Sequence, residues 1–495
     1  MLIIELNRAN YEYDVNSLVR AFYPGENVTI LTPESTVQRR KQTDESAQKC
    51  LEAGERILRM SMELSEDGAR VELGGQPFSW NYEVAAAAQY KQEFKRFLYG
   101  VMKQFTGKAL PWGSLTGIRP TKIAFGMLEQ GCTDQEILDT FTGIYEVSGE
   151  KAGLGLDIAK REREILKTVE REGDSEGYSL YVGIPFCPTT CLYCSFTSFP
   201  IAGYRKLVDS YIDCLIHEME QAARLMSGKI LDSIYIGGGT PTTLEPAQIS
   251  RLIGALKQYF DFDTVKEFTV EAGRADSITR EKLEVLYGHH VSRISVNPQT
   301  MNQQTLDIIG RKATVEQVET AYRLAREVGF DNINMDLILG LPGETEDDVQ
   351  RTIDRVTALA PDSLTVHSLA IKRASHMSQW IQENGVEALR NTDETMRIAA
   401  EGARHLGMEP YYLYRQKNMS GNFENVGYAK PGKYGLYNIL IMEEMQTIVA
   451  LGAGSITKRV YPDGRIERCE NVKEVAQYIE RIEEMIERKR VLFKD

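Results

Sequence analysis

The chain has 495 residues, a length that suits two or three domains. Hydrophobic residues make up 42% and charged residues 26%, which excludes disordered, collagen-like and low-complexity proteins. The 71 acidic residues exceed the 58 basic residues and give a net charge of −13, which argues against a general nucleic-acid or anionic-membrane binder. No apolar run reaches the roughly 18 residues of a membrane span, and the N-terminus lacks a secretory pattern, so we expect a cytoplasmic protein.

The sequence pattern of residues 1–172 predicts a separate α+β domain of unknown role. Short apolar strands are predicted at Leu2–Leu6 and Val28–Leu31, and Glu66-Asp67-Gly68 predicts the turn of a hairpin. A helical pattern runs from Asn81 to Gln104. The Gly-rich basic loop Gly113–Pro120 admits a phosphate or carboxylate site as one interpretation, but we favour an ordinary structural turn.

Residues 173–375 alternate strands with helices, which implies parallel pairing through right-handed crossovers. The β-rich runs are Ser179–Ile184, Asp232–Gly237, Glu267–Glu271, Ser292–Val296, Asn332–Ile338 and Ser363–Leu369. Six units are too few for a closed eightfold barrel, so we predict an α/β core in the form of a partial (β/α)6 barrel. A doubly wound sheet is the alternative, and in both architectures ligands bind where the strands end.

The sequence pattern of residues 376–495 predicts a mostly helical C-terminal extension. We expect this extension to cover the substrate. Helices are predicted at Asp393–Leu406, Glu443–Leu451 and Val472–Arg490, and Tyr411–Tyr414 is strand-like. The segment Lys417–Gly435 is rich in Gly, Asn and Tyr and predicts a loop.

Three of the seven cysteines, Cys187, Cys191 and Cys194, form a C-x3-C-x2-C cluster directly after the first strand of the predicted core. One tight cluster in a long chain indicates metal chemistry rather than a disulfide framework. Iron–sulfur clusters are held by thiolates, and three local ligands leave one iron of a [4Fe–4S] cluster open to substrate. The alternative is a zinc site completed by a histidine, but none lies nearby in the sequence.

The cysteine spacing, with aromatic Tyr193 before the last cysteine, resembles the signature of radical S-adenosylmethionine (SAM) enzymes. This resemblance implies a [4Fe–4S] cluster whose open iron is chelated by the methionine amino and carboxylate groups of SAM, in one or two molecules. A one-electron reductant such as flavodoxin or ferredoxin would then cleave the cofactor to a 5′-deoxyadenosyl radical, which abstracts hydrogen from the substrate. It implies no catalytic residue beyond the cluster and the cofactor site.

A narrower resemblance is to the oxygen-independent coproporphyrinogen III oxidase (HemN/HemW-like) family. Tyr181 with Ile184–Cys187 resembles its Y-x-x-I-P-F-C opening, and Gly237–Thr242 resembles its glycine motif. The tail motif Tyr411–Asn418 resembles most the HemZ-type subgroup, usually described as coproporphyrinogen dehydrogenases. The chain departs from the true oxidases at Phe196, where they carry a further cysteine, and the N-terminal domain is foreign to them.

The family's cofactor residues have chemically suitable counterparts near the strand ends. Glu271 suits the cofactor's ammonium, Arg311 its carboxylate, and Asp336 its ribose hydroxyls, while Ala370 leaves room beside the adenosine. The expected cofactor residues are Tyr181, Tyr193, Gly238, Gly239, Thr240, Glu271, Gln299, Arg311, Asp336 and Ala370.

A tetrapyrrole with propionate groups requires basic side chains between aromatic walls. The candidate substrate residues are Lys372, Arg373, Arg415, Lys417 and Tyr428, although basic residues that solvate a loop are the other interpretation. His367 and His376 are possible heme ligands in a carrier, and a structural role is the interpretation we favour.

The resemblance implies an oxidoreductase that decarboxylates two propionates of coproporphyrinogen III to vinyl groups, giving protoporphyrinogen IX in heme biosynthesis. Two alternatives stay open: radical-mediated modification or degradation of heme, and a heme-binding trafficking protein or chaperone. The expected partners are a tetrapyrrole or heme and an external reductant, with no nucleic acid and no membrane span.

Overall fold

The computed structural model describes residues 1–24, 26–82, 87–117, 119–171, 176–372, 375–385, 388–416, 419 and 422–494. Two compact units are present: Met1–Leu156 with Arg415–Glu424, and Asp157–Tyr414 with Asn425–Asp495. The predicted domain boundaries at residues 172 and 375 stay a prediction. The contacts instead join most of the C-terminal extension to the core, and residues 415–424 to the N-terminal unit.

The smaller unit contains a mixed sheet with the strand order β2-β1-β3-β4-β5. Its strands are β1 (Leu2–Leu6), β2 (Val28–Leu31), β3 (Leu58–Leu64), β4 (Gly68–Leu73) and β5 (Gln76–Asn81). Strand β1 pairs in parallel with β2 and β3, and the predicted hairpin joins β3 to β4. The helices are α1 (Glu12–Phe22), α2 (Val37–Glu52), α3 (Ala87–Thr106), α4 (Thr121–Glu129), α5 (Asp134–Asp139) and the start of α6 (Gly149–Leu166).

The core of the smaller unit lies between this sheet and two amphipathic helices. Leu18 and Phe22 of α1 and Phe94 and Leu98 of α3 are buried against alternate residues of the strands. Helix α3 begins later than the predicted Asn81, because Asn81 is the last residue of β5 and pairs with Gly68.

The larger unit is built on a predominantly parallel sheet. Its central strands are β6 (Gly177–Ile184), β9 (Ile230–Gly238), β10 (Glu267–Gly273), β11 (Arg293–Val296), β12 (Ile333–Leu339) and β13 (Ser363–Ser368), each next to its successor. A two-stranded ribbon, β7 (Phe186–Cys187) with β8 (Phe199–Pro200), encloses the cysteine loop. All six predicted core strands are present, which confirms the partial (β/α)6 barrel. Buried apolar side chains dominate these strands, as expected where helices cover a parallel sheet.

The helices of the larger unit follow the strands as crossovers and then form much of the C-terminal extension. They are α7 (Val208–Leu225), α8 (Pro246–Tyr259), α9 (Arg280–Gly288), α10 (Gln303–Ile308), α11 (Val315–Val328), α12 (Glu346–Leu359), α13 (Met377–Asn384), α14 (Asp393–His405), α15 (Leu436–Glu443), α16 (Val475–Glu480) and α17 (Ile482–Phe493). No described helix combines the length and the apolar character that crossing a bilayer requires.

The C-terminal extension also supplies strands to both edges of the sheet. Strands β15 (Asn425–Ala429) and β14 (Glu409–Tyr414) continue antiparallel from β13. At the other edge, β16 (Thr447–Leu451) pairs in parallel with β6, followed by β17 (Ile456–Val460) and β18 (Ile466–Glu470). The predicted helix Glu443–Leu451 is therefore wrong. Glu444 takes a left-handed φ of 52° that ends α15, and the short apolar run after it is a fully buried strand.

Candidate cofactor site

A cavity of about 360 Å³ lies toward the carboxyl ends of the parallel strands of the larger unit. It brings together the three cluster cysteines and nine of the ten residues expected to bind the cofactor. The predicted residues in its lining are Tyr181, Cys187, Cys191, Tyr193, Cys194, Gly238, Gly239, Thr240, Glu271, Gln299, Arg311 and Asp336.

The three cysteine sulfurs each have a polar neighbour. Cys187 Sγ lies 3.4 Å from the Thr240 hydroxyl, and Cys194 Sγ lies 3.8 Å from the Ser198 hydroxyl. Burial raises the pKa of the Cys187 thiol to about 11, and the Thr240 contact opposes this rise. The thiol of the free protein is therefore neutral, and it must lose a proton to bind a metal.

Arg274 holds the cysteine loop from the adjacent strand end. Its guanidinium is 4% exposed and donates from Nη1 to the carbonyl of Thr189 at 3.0 Å and to Cys191 Sγ at 3.6 Å. Asp276 pairs with the other side of the guanidinium at 2.7 Å. The sequence analysis missed this residue, although its position just after the third core strand was a usable signal.

The donor set suits a cluster better than a single metal ion. Within the described ranges, no three His, Cys, Asp or Glu side chains converge as they would around one ion. In a [4Fe–4S] cluster each thiolate binds a different iron, so thiols that surround a shared cavity suit it. The positive charge of Arg274 also opposes the burial that raises the pKa of the Cys187 thiol, which favours its thiolate.

The glycine motif lets β9 pass against the cysteine loop. A Cβ atom at Gly239 would lie 2.5 Å from the carbonyl oxygen of Phe186, and Gly238 has a φ of 107°. The backbone N–H groups of Gly239 and Thr240 donate to the carbonyls of Ile184 and Phe186, both at 2.7 Å. Glycine is therefore required here because two backbone segments meet.

Glu271 lies at the carboxyl end of β10 and accepts a hydrogen bond from the Tyr235 hydroxyl. Burial raises the pKa of its carboxyl group to about 7; the Tyr235 hydrogen bond opposes the rise, and the Asp336 charge adds to it. A positively charged group beside this carboxyl group, such as the cofactor would supply, would stabilise its ionised form.

Arg311 and Gln299 follow β11 in the chain, and both line the cavity. Arg311 donates to the carbonyl of Asn297 at 2.5 Å and to the Tyr193 hydroxyl at 3.2 Å. Gln299 takes a left-handed φ of 68°, held by backbone hydrogen bonds to the carbonyl of Asp336 and from the N–H of Ile338. Non-glycine residues in this region often mark functional sites.

Several buried polar atoms of the cavity have no hydrogen-bond partner among the described residues: Ser295 Oγ, Asn297 Oδ1, Gln299 Oε1 and Arg311 Nε. Such groups are costly unless a ligand or water satisfies them. Asp336, in contrast, accepts from Asn334 Nδ2 at 2.7 Å. The residues present therefore fit SAM: a carboxylate, a guanidinium and free amide oxygens around three thiols.

The predicted substrate residues, unlike the predicted cofactor residues, are not found together in the cavity lining. Lys372 lies outside the described lining, but its Nζ is 5.6 Å from the ring centroid of Phe196, which does line the cavity. Arg415 belongs to the smaller unit, where it donates to the carbonyl of Leu115 at 2.6 Å. Tyr428 is buried on β15, and neither it nor Ala370 belongs to the described lining. Arg373 and Lys417 lie outside the described residues.

Sequence reasoning also missed polar and aromatic residues of the cavity. Arg293, Ser295 and Asn297 alternate along β11 and the residue after it, and all line the cavity, as do Asn334 and Thr365 of the next strands. Polar residues at every second position of an otherwise apolar strand were the available signal. The remaining missed residues include Tyr235, Asn438 and Met442. His367, considered above as a heme ligand, and the aromatic residues Tyr412 and Tyr414 also line the cavity.

Comparison with known proteins agrees with this site. Residues 181–356 match the Radical SAM superfamily. The chain is 39% identical over 411 residues to the oxygen-independent coproporphyrinogen-III oxidase-like protein HemZ of Bacillus subtilis (strain 168), covering 82% of each chain. It is 30% identical over 307 residues to the heme chaperone HemW of the same organism, covering 62% of this chain and 76% of HemW. The solved structure of coproporphyrinogen III oxidase (HemN) from Escherichia coli superposes with a TM-score of 0.51 at 25% identity, over 66% of this chain and 73% of that one.

The fold and the cavity define a radical SAM enzyme of the oxidoreductase type, which uses a [4Fe–4S] cluster and SAM. Within this class, the chain belongs to the family of oxygen-independent coproporphyrinogen III oxidase-like proteins that includes HemZ. The expectations for family, fold class, enzyme class and cofactors are thereby confirmed.

Proposed function

We propose that this enzyme oxidatively decarboxylates two propionates of coproporphyrinogen III to vinyl groups without oxygen. The observation that carries the proposal is that one cavity holds the three thiols, the expected cofactor residues and a wall of tyrosines. The names of the similar proteins support it, because HemN is a coproporphyrinogen III oxidase and HemZ is described as oxidase-like.

In this proposal the side chains bind and orient, and the cofactors supply the reactive chemistry. Cys187, Cys191 and Cys194 hold the cluster, Glu271 and Arg311 hold the two ends of the methionine moiety, and Asp336 holds the ribose. When bound, the cluster and SAM supply one-electron hydrogen-atom abstraction, which no side chain provides. Loss of a hydrogen atom, carbon dioxide and one electron from a propionate leaves a vinyl group, so an external electron acceptor is required.

The walls of the cavity suit an apolar macrocycle. Tyr412 and Tyr414 stack with centroids 6.2 Å apart and an interplanar angle of 7°, and Tyr181 and Tyr235 stack at the same separation. Aromatic surfaces exclude water and match the faces of pyrrole rings. Lys372 beside Phe196 would meet a propionate near the cavity.

The test is an anaerobic turnover assay that offers coproporphyrinogen III and heme in parallel to reconstituted enzyme with reductant and SAM. We expect a product that is lighter than coproporphyrinogen by two carbon dioxide and two hydrogen molecules, formed together with 5′-deoxyadenosine. Cleavage of SAM without this product would contradict the proposal. A modified or ring-opened heme would support the alternative reaction.

A heme-binding trafficking function is the second candidate. His367 lines the cavity, and burial lowers the pKa of its imidazole, which favours the neutral form that ligates iron. Phe196 also stands where the true oxidases carry a further cysteine. A stoichiometric Soret shift on adding heme, lost in His367→Ala and without any turnover of coproporphyrinogen, would favour the carrier.

A further inference from the structure

A buried arginine without an ion pair lies deep in the cavity. Arg293, the first residue of β11, is 2% exposed and belongs to the cavity lining. Its Nη2 donates to the Ser363 hydroxyl at 3.0 Å, while its Nε has no hydrogen-bond partner in the described ranges. Among the described residues its guanidinium forms no ion pair within 4.0 Å, and the carboxyl group of Glu267 acts on it only from a longer distance.

The carboxyl groups of Glu267 and Glu271 interact electrostatically with Arg293, but both, like that of Asp336, accept hydrogen bonds from other groups. Glu271 accepts from Tyr235, and Asp336 accepts from Asn334 at 2.7 Å. Glu267, at the start of β10, accepts the backbone N–H of Leu436 at 2.6 Å and the Thr269 hydroxyl at 3.0 Å. The guanidinium therefore keeps at least one buried donor, Nε, unused among the described residues of the cavity.

Arg293 is a second cation of the same cavity, and its charge acts on the carboxyl group of Glu271. Arg311 contacts the carbonyl of Asn297, which is four residues beyond Arg293 along the strand direction. At about 3.3 Å per residue, the two positions are roughly 13 Å apart along the strand. A second anion-binding group at this depth is not needed for the cofactor's carboxylate, which Arg311 is expected to bind.

We propose that Arg293 binds a carboxylate of the substrate, so that one acidic side chain of the substrate enters the cavity lined by the core strands. A guanidinium offers five donors in a planar fork that matches a carboxylate in two parallel hydrogen bonds. A buried cation without such a partner is unfavourable, and a bound carboxylate corrects this. The inference rests on the proposed function, in which the carboxylate is a propionate of the tetrapyrrole.

The test compares coproporphyrin III with its tetramethyl ester as fluorescent ligands of the anaerobic holoenzyme with SAM. Wild-type protein is expected to bind the acid more tightly than the ester. Arg293→Gln is expected to weaken binding of the acid about 10- to 100-fold, the effect of losing a charge-assisted hydrogen bond, and to change binding of the ester less than about twofold. Arg293→Lys is expected to restore part of the affinity for the acid.

Exposed Arg323→Gln is the matched control, and it should alter neither affinity. The inference is overturned if Arg293→Gln weakens acid and ester equally, which would show a structural role, or weakens neither. If the wild-type holoenzyme binds neither porphyrin, both the proposed function and this inference fail. Binding of the acid that is insensitive to Arg293 contradicts only the inference.

Discussion

Arg274 donates to the sulfur of Cys191 at 3.6 Å while Asp276 fixes the opposite side of its guanidinium at 2.7 Å. The same Nη1 donates to the Thr189 carbonyl, so one buried cation both shapes the cysteine loop and faces a proposed cluster ligand. Groups of this kind orient metal ligands and tune their charge.

Replacing Arg274 with Met should therefore weaken cluster binding. Loss of an outer-shell partner costs roughly 10- to 100-fold in metal affinity, so iron should be lost faster to a chelator. The measurement is the rate of bleaching of the cluster absorbance under anaerobic chelation. Arg280→Met, which removes an exposed arginine of α9 paired with Glu327, should bleach like wild type. Equal rates in both variants would contradict the role of Arg274.

The affinity for SAM should depend on pH through Glu271. The pKa of its carboxyl group is raised to about 7, so the free protein is largely protonated at this position below that pH. A hydrogen bond from the cofactor's amino group requires the carboxylate as acceptor, so binding releases a proton from Glu271 and the affinity increases with pH. We expect up to a tenfold gain per pH unit below about pH 7 and a plateau above it. Titration calorimetry from pH 6 to pH 8.5 measures this.

Two variants isolate the contribution of Glu271 from the titration of the cofactor itself. Glu271→Gln should bind weakly, with only the pH dependence that SAM brings. Tyr235→Phe removes the hydrogen bond that lowers the pKa of Glu271, so the midpoint of the profile should move to higher pH. An unchanged profile in Glu271→Gln would exclude this carboxylate as the ammonium partner.

The orientation of Asp336 should depend on Asn334. The amide of Asn334 donates to Asp336 at 2.7 Å and accepts from the hydroxyls of Ser363 at 3.0 Å and Thr365 at 3.2 Å. Asn334→Ala should raise the Kd for SAM about 10-fold, while the iron content stays at the wild-type value. Asn334→Asp should be worse, because it places a second carboxylate beside Asp336. An unchanged Kd for SAM in both variants would show that the orientation of Asp336 does not depend on Asn334.

The core of the site was predictable because local chemistry and chain order agree there. C-x3-C-x2-C after a strand and Glu271 at a strand end depend on residue type and a near neighbour, and both could be read directly. The positions of Arg274 and Arg293 mark them as candidates, but their roles could not be read from the sequence because these depend on which strands become neighbours. The strand Thr447–Leu451 was missed for a related reason: a short apolar run has no periodicity that separates a buried strand from a helix.

The buried pair Glu218–Lys489 should dominate the docking of the C-terminal helix. Lys489 and Glu218 are 2% and 1% exposed and pair at 2.7 Å, and Glu218 also accepts from the backbone N–H of Gly452 and the Tyr478 hydroxyl. Lys489→Met leaves a buried carboxylate unpaired and should lower the free energy of unfolding by about 3–5 kcal/mol.

Urea unfolding of the larger unit measures this loss. Arg490→Met, which removes an exposed arginine on the same helix, should cost no more than about 1 kcal/mol. The double variant Glu218→Gln with Lys489→Met should recover part of the loss, because the uncompensated charge is gone. Equal stability of Lys489→Met and Arg490→Met would contradict the account of this network.

The most direct test of the whole account is the metal content and the spectrum of the anaerobically reconstituted protein. We expect about four irons and four sulfides per chain, and an electron paramagnetic resonance spectrum of the reduced cluster that changes when SAM is added. Cys191→Ser should abolish both properties, whereas Cys214→Ser, outside the cavity lining, should preserve them. A protein that is colourless and free of iron, that binds zinc instead, or whose cluster spectrum ignores SAM would contradict it.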